Sequence, residues 1–350
     1  MTDAETRVRE SFFQQARYCR DMASPFTAEL CDVLGERLTP DTGIGARVLG
    51  WSGNPEPLHD ALALRLVAGL HALAERDVDA AWTAIYPPAL AVDRTTLGTM
   101  LDDVILRFEK ELMPWLDLPP QTNEVGRSAV LMCGLLTLAA AHGLPFSLFE
   151  LGSSGGLNLM LDRYTYTLGS TEVGATDSPV HLAPAWTGPS PPHAKVRVLA
   201  RRGVDQAPVD IGSAAGRERL LAYVWADQLE RLRRIRYALK IAATDPPQVD
   251  KMDAAAWAEK TLRPAPSTGV HRVLMHSAVF QYFSEDVKRR VEAQAEKAGA
   301  SATADAPFSW MRMEQGSDGN FALAIKTWPG GDDRVLATVH PHGAKIIWLE

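Results

Sequence analysis

Residues 149–164 read FELGSSGGLNLMLDRY, an acid, a run of small residues and a helix-like apolar pattern in immediate succession. The centre, Gly152-Ser153-Ser154-Gly155-Gly156, fits two chemistries. As G-x-S-x-G between a strand and a helix it has the form of a nucleophile elbow, with Ser154 attacking and acids and histidines downstream. As a glycine-rich turn it lets the main chain approach a nucleotide-like ligand. Neither phosphate-binding pattern fits. No lysine lies near for a P-loop, and Ser154 and Leu157 occupy positions where the dinucleotide fingerprint needs glycine. Farther along, Val273-Leu274-Met275 runs into His276-Ser277-Ala278-Val279-Phe280-Gln281-Tyr282. His276 reads either as a proton acceptor or as a core histidine bonded to the main chain. The patch Gln121-Thr122-Asn123-Glu124-Val125-Gly126-Arg127 reads either as substrate contacts or as a capped helix start. His340-Pro341-His342 reads as a turn between strands, because a metal would need further ligands nearby.

The elements that must position these groups follow from periodicity. Residues 1–145 read as helices: Phe12, Phe13, Ala16 and Cys19 recur at helical spacing, as do Leu62, Leu66, Leu70 and Leu73. Pro87-Pro88 and Pro119-Pro120 are breaks, and Thr122 is placed to cap the helix that follows. From residue 145 the pattern alternates. Residues 145–151 form a short apolar run ending at glycine, the profile of a buried parallel strand. A helix over 157–168, a Pro/Ser/Gly-rich loop over 169–194 and a strand over 196–200 come next. One long helix over 212–243, a short strand at 249–252, a helix at 254–262, a strand at 270–275 and a helix at 285–298 complete the rhythm. Such alternation predicts right-handed βαβ units and an open parallel sheet. The closing runs 308–314, 321–327, 334–339 and 345–349 are strand-like and leave no room for helices between them. They predict an antiparallel meander on one edge of the sheet. In this layout 145–151 is the first strand, whereas an elbow follows several strands, which favours the glycine-turn reading.

Composition excludes other classes. Of 350 residues, 46% are apolar and 23% charged, the profile of a soluble globular protein. With 36 basic and 43 acidic residues the net charge is −7, so no global field favours nucleic acid. Cys19, Cys31 and Cys133 are widely spaced, against a disulfide framework and in keeping with a reducing cytoplasm. The opening MTDAETRVRESFFQQARYCR is too charged for a signal peptide, and the apolar run at 129–141 is too short to span a membrane. The chain reads as a cytoplasmic monomer or homodimer with a small-molecule partner, no nucleic acid, no membrane and no metal.

Glu150-Leu151-Gly152-Ser153-Ser154-Gly155-Gly156 resembles the first motif of class I S-adenosylmethionine-dependent methyltransferases: acid, apolar residue, then three glycines at alternate positions. Glu150, Gly152 and Gly156 match, and Ser154 stands for the middle glycine. The resemblance implies an α/β fold: a Rossmann-like class I methyltransferase sheet, mostly parallel with an antiparallel C-terminal edge, plus an all-helical N-terminal region. The helical lid or substrate region is expected at 1–144 and the S-adenosylmethionine-binding domain at 145–350. Cofactor contacts are implied for Glu150, toward the ligand's amino group, and for Gly152, Ser153, Ser154, Gly156 and Asn158. Asp205 is implied at the ribose, with Asp210 a rival that reads better as a helix cap. Asp253 is implied near the adenine, though it reads equally as a cap. His276 and Ser277 end the fourth strand and face the cofactor. His276 and Tyr282 are the catalytic candidates; an aromatic near a sulfonium adds about 0.5–2 kcal/mol of cation–π attraction. Asn123, Glu124, Arg127 and Gln281 are the substrate candidates.

FELGSSGGLNLMLDRYTY, QTNEVGR, RRGVDQAPVD, YVWADQLERL, MHSAVFQY and TVHPHGAKIIWL together resemble one family over nearly the whole chain. It is the bacterial domain-of-unknown-function family 2332. That family carries no general assigned activity, so the expected function, S-adenosylmethionine-dependent methylation of a small molecule, rests on fold and first motif. The alternatives are a serine hydrolase using Ser154 and a non-catalytic ligand-binding protein of the same fold.

Overall fold

The computed structural model of the chain describes residues 3–89, 92–263 and 267–350. It divides into two compact units. One comprises the residues up to Thr122 with Ala214–Arg233, and the other Asn123–Ser213 with Arg234–Glu350. The first unit is helical among the described residues. Its long helices Asp3–Asp21, Pro25–Arg37, Leu62–Glu75 and Arg94–Arg107 each bury an apolar face. Phe12, Ala16 and Cys19 line the first, and Leu62, Leu66, Leu70 and Leu73 the third, at the spacing that puts side chains on one side of a helix. Where one helix is expected over 212–243 there are two, Ala214–Ala222 and Leu229–Ala242. Asp227 lies in the break. Its carboxylate accepts Phe26 N–H at 2.8 Å and Thr27 Oγ1–H at 3.2 Å, and also binds Ser24 Oγ. It thereby caps Pro25–Arg37, where Ser24 itself makes no side-chain cap.

The second unit centres on a nine-stranded sheet. In chain order the strands are β1 (Phe146–Leu151), β2 (Thr165–Leu168), β3 (Thr171–Gly174), β4 (His181–Leu182), β5 (Ala185–Thr187) and β6 (Val198–Asp205). Then come β7 (Val249–Lys251), β8 (His271–Ser277), β9 (Phe308–Gln315), β10 (Phe321–Trp328), β11 (Asp332–Val339) and β12 (Lys345–Trp348). The large sheet runs β5-β12-β11-β10-β9-β8-β1-β6-β7, and β2, β3 and β4 form a separate small sheet. Strands β7, β6, β1, β8 and β9 are parallel; β10, β11 and β12 continue antiparallel. The helix Glu285–Ala300 makes the crossover from β8 to β9 that a parallel pair requires. The expected antiparallel meander is therefore β9 to β12, and it joins the parallel sheet through the parallel pairing of β9 with β8.

Side chains alternate along β1, so Phe146, Leu148 and Glu150 share one face and Phe149 and Leu151 the other. Phe149 meets Trp257 edge-on at 6.3 Å, in a core that also holds Leu274, Val291, Phe308 and Trp310. The apolar helix Arg127–His142 packs against β9 and β10. A Cβ at Gly134 would lie 2.3 Å from Met311 Sδ. No helix of the described residues is long and apolar enough to cross a membrane.

Four local expectations are corrected. Residues 157–168 form a 3₁₀ helix, Leu157–Arg163, and then β2. Tyr164 donates its hydroxyl to Leu157 O at 2.7 Å and Tyr166 to Leu161 O at 2.5 Å. These bonds fasten the strand β2 back onto the short helix that precedes it. The loop expected over 169–194 contains β3, β4 and β5, and the strand expected at 196–200 continues to Asp205 as β6. The helix after Pro120 begins only at Arg127 and has no side-chain cap, so Thr122 does not cap it.

Candidate functional site

The chain passes from β1 outward to β6 and β7, then returns to β8 and β9 on the other side. Strand order thus reverses at β1, and ligands of open α/β sheets bind beyond the carboxyl ends of the strands at such a point. Leu151 stands in register with both Val204 and His276. The segments following β1, β6 and β8 therefore leave the sheet at one edge.

Glu150 is 2% exposed. Burial pushes its carboxyl up to about 8 and the charge of Asp205 adds to the rise, while hydrogen bonding by Ser153 and Asn158 and the charge of Arg127 oppose it. Its Oε2 has no hydrogen-bond partner, and an unpaired buried acceptor costs about 1–3 kcal/mol. The turn that follows uses three left-handed residues: Gly152 at φ +67°, Ser154 at +53° and Gly156 at +78°. A Cβ at Gly152 would lie 2.3 Å from Val279 Cγ2, and one at Gly156 would lie 2.6 Å from Pro247 Cγ. Both conformation and space demand glycine there. Ser153 donates its Oγ–H to Glu150 O at 3.0 Å, and Ser154 donates its N–H to Asp205 Oδ2 at 2.9 Å. Ser154 Oγ is buried without a hydrogen-bond partner. No base activates it here, which is what a serine nucleophile needs.

The polar patch before the helix Arg127–His142 holds this edge together. Asn123 Oδ1 accepts Leu157 N–H at 2.9 Å, the first amide of the 3₁₀ helix. Ser128 donates its hydroxyl to Asn158 Oδ1 at 2.8 Å. Glu124 Oε1 accepts Gly126 N–H at 2.9 Å and faces Arg234 Nη1 at 3.4 Å. Arg127 donates from Nη1 to Ser277 O at 3.0 Å and from Nε to Pro341 O at 2.9 Å. Expected as substrate contacts, Asn123 and Arg127 here join the turn after β1, the end of β8 and the His340–His342 turn, while Glu124 faces Arg234 of the helix Leu229–Ala242. Among the described residues no group of three or more His, Cys, Asp or Glu side chains is placed to hold a metal.

A cleft of about 170 Å³ opens beside Gly152, lined by Val204, Asp205, Met252, Val279, Tyr282 and others. Tyr282 is 75% exposed at its rim, and Gln281 is exposed and outside the lining. Asp205 accepts Ser154 N–H and, through Oδ1, Ala207 N–H at 2.9 Å. Asp253 caps the helix Ala254–Thr261 by accepting Ala256 N–H at 2.9 Å; its neighbours Met252 and Ala254 line the cleft instead. Asp210 accepts Gly212 N–H at 2.9 Å within a local turn.

His276 is fully buried and both ring nitrogens are engaged. Trp310 donates its indole N–H to Nε2 at 3.0 Å. An indole only donates, so the imidazole proton is on Nδ1 and is given to Glu314 Oε1 at 2.7 Å. As placed, His276 has no lone pair to offer a substrate. Met252, Val279, Phe283 and Glu314 were not among the residues singled out from sequence. Met252 sits inside the acidic turn at 250–253, but Glu314 is brought in only by the pairing of β8 with β9.

One family model, described as an uncharacterized protein conserved in bacteria, matches residues 9–348. No curated protein and no solved structure matches the chain.

Proposed function

The chain belongs to that family, DUF2332, and on this premise we propose that it is an S-adenosylmethionine-dependent methyltransferase acting on a small molecule. The observation that carries the reading is Glu150, a buried carboxyl at the end of the first parallel strand with one oxygen unpartnered. A cationic amino group is the natural partner for such an oxygen. The strand order supports a Rossmann-like sheet, with Glu150 at its switch point. The cleft adds support: Val204, Met252, Val279 and Phe283 offer apolar contact to a flat ring, and Asp205 adds a carboxylate to the same lining. The net charge of −7 favours a small-molecule acceptor over nucleic acid.

The residues that would hold the cofactor are Glu150, two positions before Gly152 of the cleft, and Val204, Asp205, Met252, Val279 and Phe283 in its lining. Two amides of the turn are committed elsewhere, Ser154 N–H to Asp205 and Leu157 N–H to Asn123, so they do not bind the ligand's carboxylate. When bound, the cofactor supplies an electrophilic methyl group on sulfur. The chain supplies position and the exclusion of water. His276 transfers no proton in this scheme, and the acceptor is one whose nucleophile needs no histidine base.

Thermal shift with S-adenosylmethionine, S-adenosylhomocysteine and NAD tests the reading. At one hundred times Kd a ligand stabilises by about 2.7 kcal/mol, and the two adenosyl ligands are expected to raise Tm by several degrees while NAD does not. Glu150→Ala is expected to abolish the shift. No shift from either adenosyl ligand overturns the proposal. Labelling of wild type, but not of Ser154→Ala, by a fluorophosphonate would establish the hydrolase in its place. Adenosyl binding without methyl transfer to any acceptor would establish the non-catalytic alternative.

A further inference from the structure

One carboxylate holds the wall of the cleft. Glu314, near the end of β9, accepts His276 Nδ1–H at 2.7 Å and Val279 N–H at 3.1 Å on Oε1, and Phe280 N–H at 3.3 Å on Oε2. Four residues earlier on the same strand, Trp310 holds the other nitrogen of His276. The Phe280 ring stacks on the imidazole with centroids 4.2 Å apart and planes 5° from parallel. Between these anchors the chain bends through Ala278, whose φ is +50°, a conformation that a residue with a Cβ adopts at a cost. Ala278 N–H is itself fixed to Met313 O at 2.8 Å. Val279 is pressed against Gly152, and Val279, Tyr282 and Phe283 form one side of the cleft.

We propose that Glu314 is the positioning residue of this site: by gathering three N–H groups it holds residues 277–283 in the bent form that builds the cleft wall. His276 is the neutral spacer that links Glu314 to Trp310. The assignment rests on the reading that the cleft takes the adenosyl ligand. The hydrogen-bond knot itself is a property of the free protein, so the two can be tested apart. A carboxylate suits the role because it is acceptor-only. In Glu314→Gln the amide NH₂ turns a donor toward either the Phe280 N–H or the His276 and Val279 donors, and part of the knot is lost.

Wild type, Glu314→Gln and Glu314→Ala are compared by hydrogen exchange with mass spectrometry and by indole N–H NMR. The chain has nine tryptophans, so the Trp310 resonance is identified from its loss in Trp310→Phe. Exchange of a peptide covering 277–283 is expected to quicken at least tenfold in Glu314→Ala and less in Glu314→Gln. Peptides from the helix Arg127–His142 are expected to stay unchanged, and the Trp310 resonance to move in both variants. S-adenosylhomocysteine affinity is expected to fall at least tenfold in Glu314→Ala. Exchange that rises equally in every peptide would reveal a general loss of stability and overturn the positioning role. So would unchanged exchange at 277–283 with an unmoved Trp310 signal. If Glu314→Ala fails to fold, the isosteric Glu314→Gln decides by the same criteria. If wild type binds no adenosyl ligand, the functional reading fails while exchange and NMR still decide the knot.

Discussion

Asp205, the last residue of β6, accepts the main-chain N–H of Ser154 at 2.9 Å across the gap between two parallel strands. The second strand of the parallel block thus fixes the turn after the first. Asp205→Asn replaces one accepting oxygen by a donor that faces either Ser154 N–H or Ala207 N–H. The expected cost is about 1–3 kcal/mol. Urea denaturation measures it, and an unchanged midpoint would show that the turn holds without this carboxylate.

Gly152 and Val279 form a second contact across the switch point. Gly152→Ala adds a Cβ 2.3 Å from Val279 Cγ2 at a φ of +67°, so both crowding and conformation oppose it. A loss of about 2–4 kcal/mol is expected, of the size seen for overpacking plus backbone strain. Val279→Ala removes the crowding atom but leaves the strain. The double variant should therefore be more stable than the sum of the two single changes predicts, by at least about 0.5 kcal/mol. Strict additivity in a double-mutant cycle would contradict the contact.

Glu150 gives stability an unusual dependence on pH. Its folded pKa, about 8, lies above the ordinary value of 4.5, so between these limits the folded state holds the extra proton. Stability is then full below about pH 4.5 and falls as pH rises toward 8. Glu150→Gln removes the charge. It should raise Tm at pH 8.5, by a free energy with an upper limit of roughly 4–5 kcal/mol, and change little at pH 5. A cation bound at Glu150 favours the carboxylate, so ligand uptake at pH 7 is expected to release a proton. Calorimetry in buffers of different ionisation enthalpy would detect that proton; identical heats in all of them would rule it out.

His271 acts in the opposite sense at the other end of β8. It is fully buried, with Nε2 on Ser309 Oγ at 2.8 Å, and burial, with a smaller contribution from the nearby His142, lowers its pKa to about 3. The unfolded chain takes up a proton near the ordinary value of 6.5 while the folded chain does not. Stability from this group is therefore lost as pH falls from about 6.5 toward 3, at most about 2–3 kcal/mol by pH 4.5. His271→Gln should flatten that acid limb in denaturation midpoints measured at pH 7 and 4.5. An acid limb as steep as that of wild type would place the titrating group elsewhere.

Much of the sheet was legible because its signals are local. A short apolar run ending in Glu150-Leu151-Gly152 has the profile of a buried strand meeting a tight turn, and the alternation of strands with helices from 145 to 298 announces parallel pairing. The 3₁₀ helix after the turn was not legible. Its apolar spacing suits an α-helix, and the bonds that Tyr164 and Tyr166 send back to Leu157 O and Leu161 O leave no mark in that spacing. The roles of Asn123 and Arg127 were hidden for the same reason: their partners Leu157, Ser277 and Pro341 lie 34, 150 and 214 residues away.

By itself the amino-acid order determined that an acid and a glycine turn end the first parallel strand, and that parallel strands with crossover helices follow. Periodicity and the steric needs of glycine act within a few residues, so they survive in a linear reading. Tertiary structure alone decided that β9 joins the parallel block and that Trp310 and Glu314 close over His276. It also decided that Glu150 keeps one oxygen without a partner. Those outcomes depend on which polar groups meet after strands far apart in sequence come into register, and hydrogen bonds are formed by distance and direction in space.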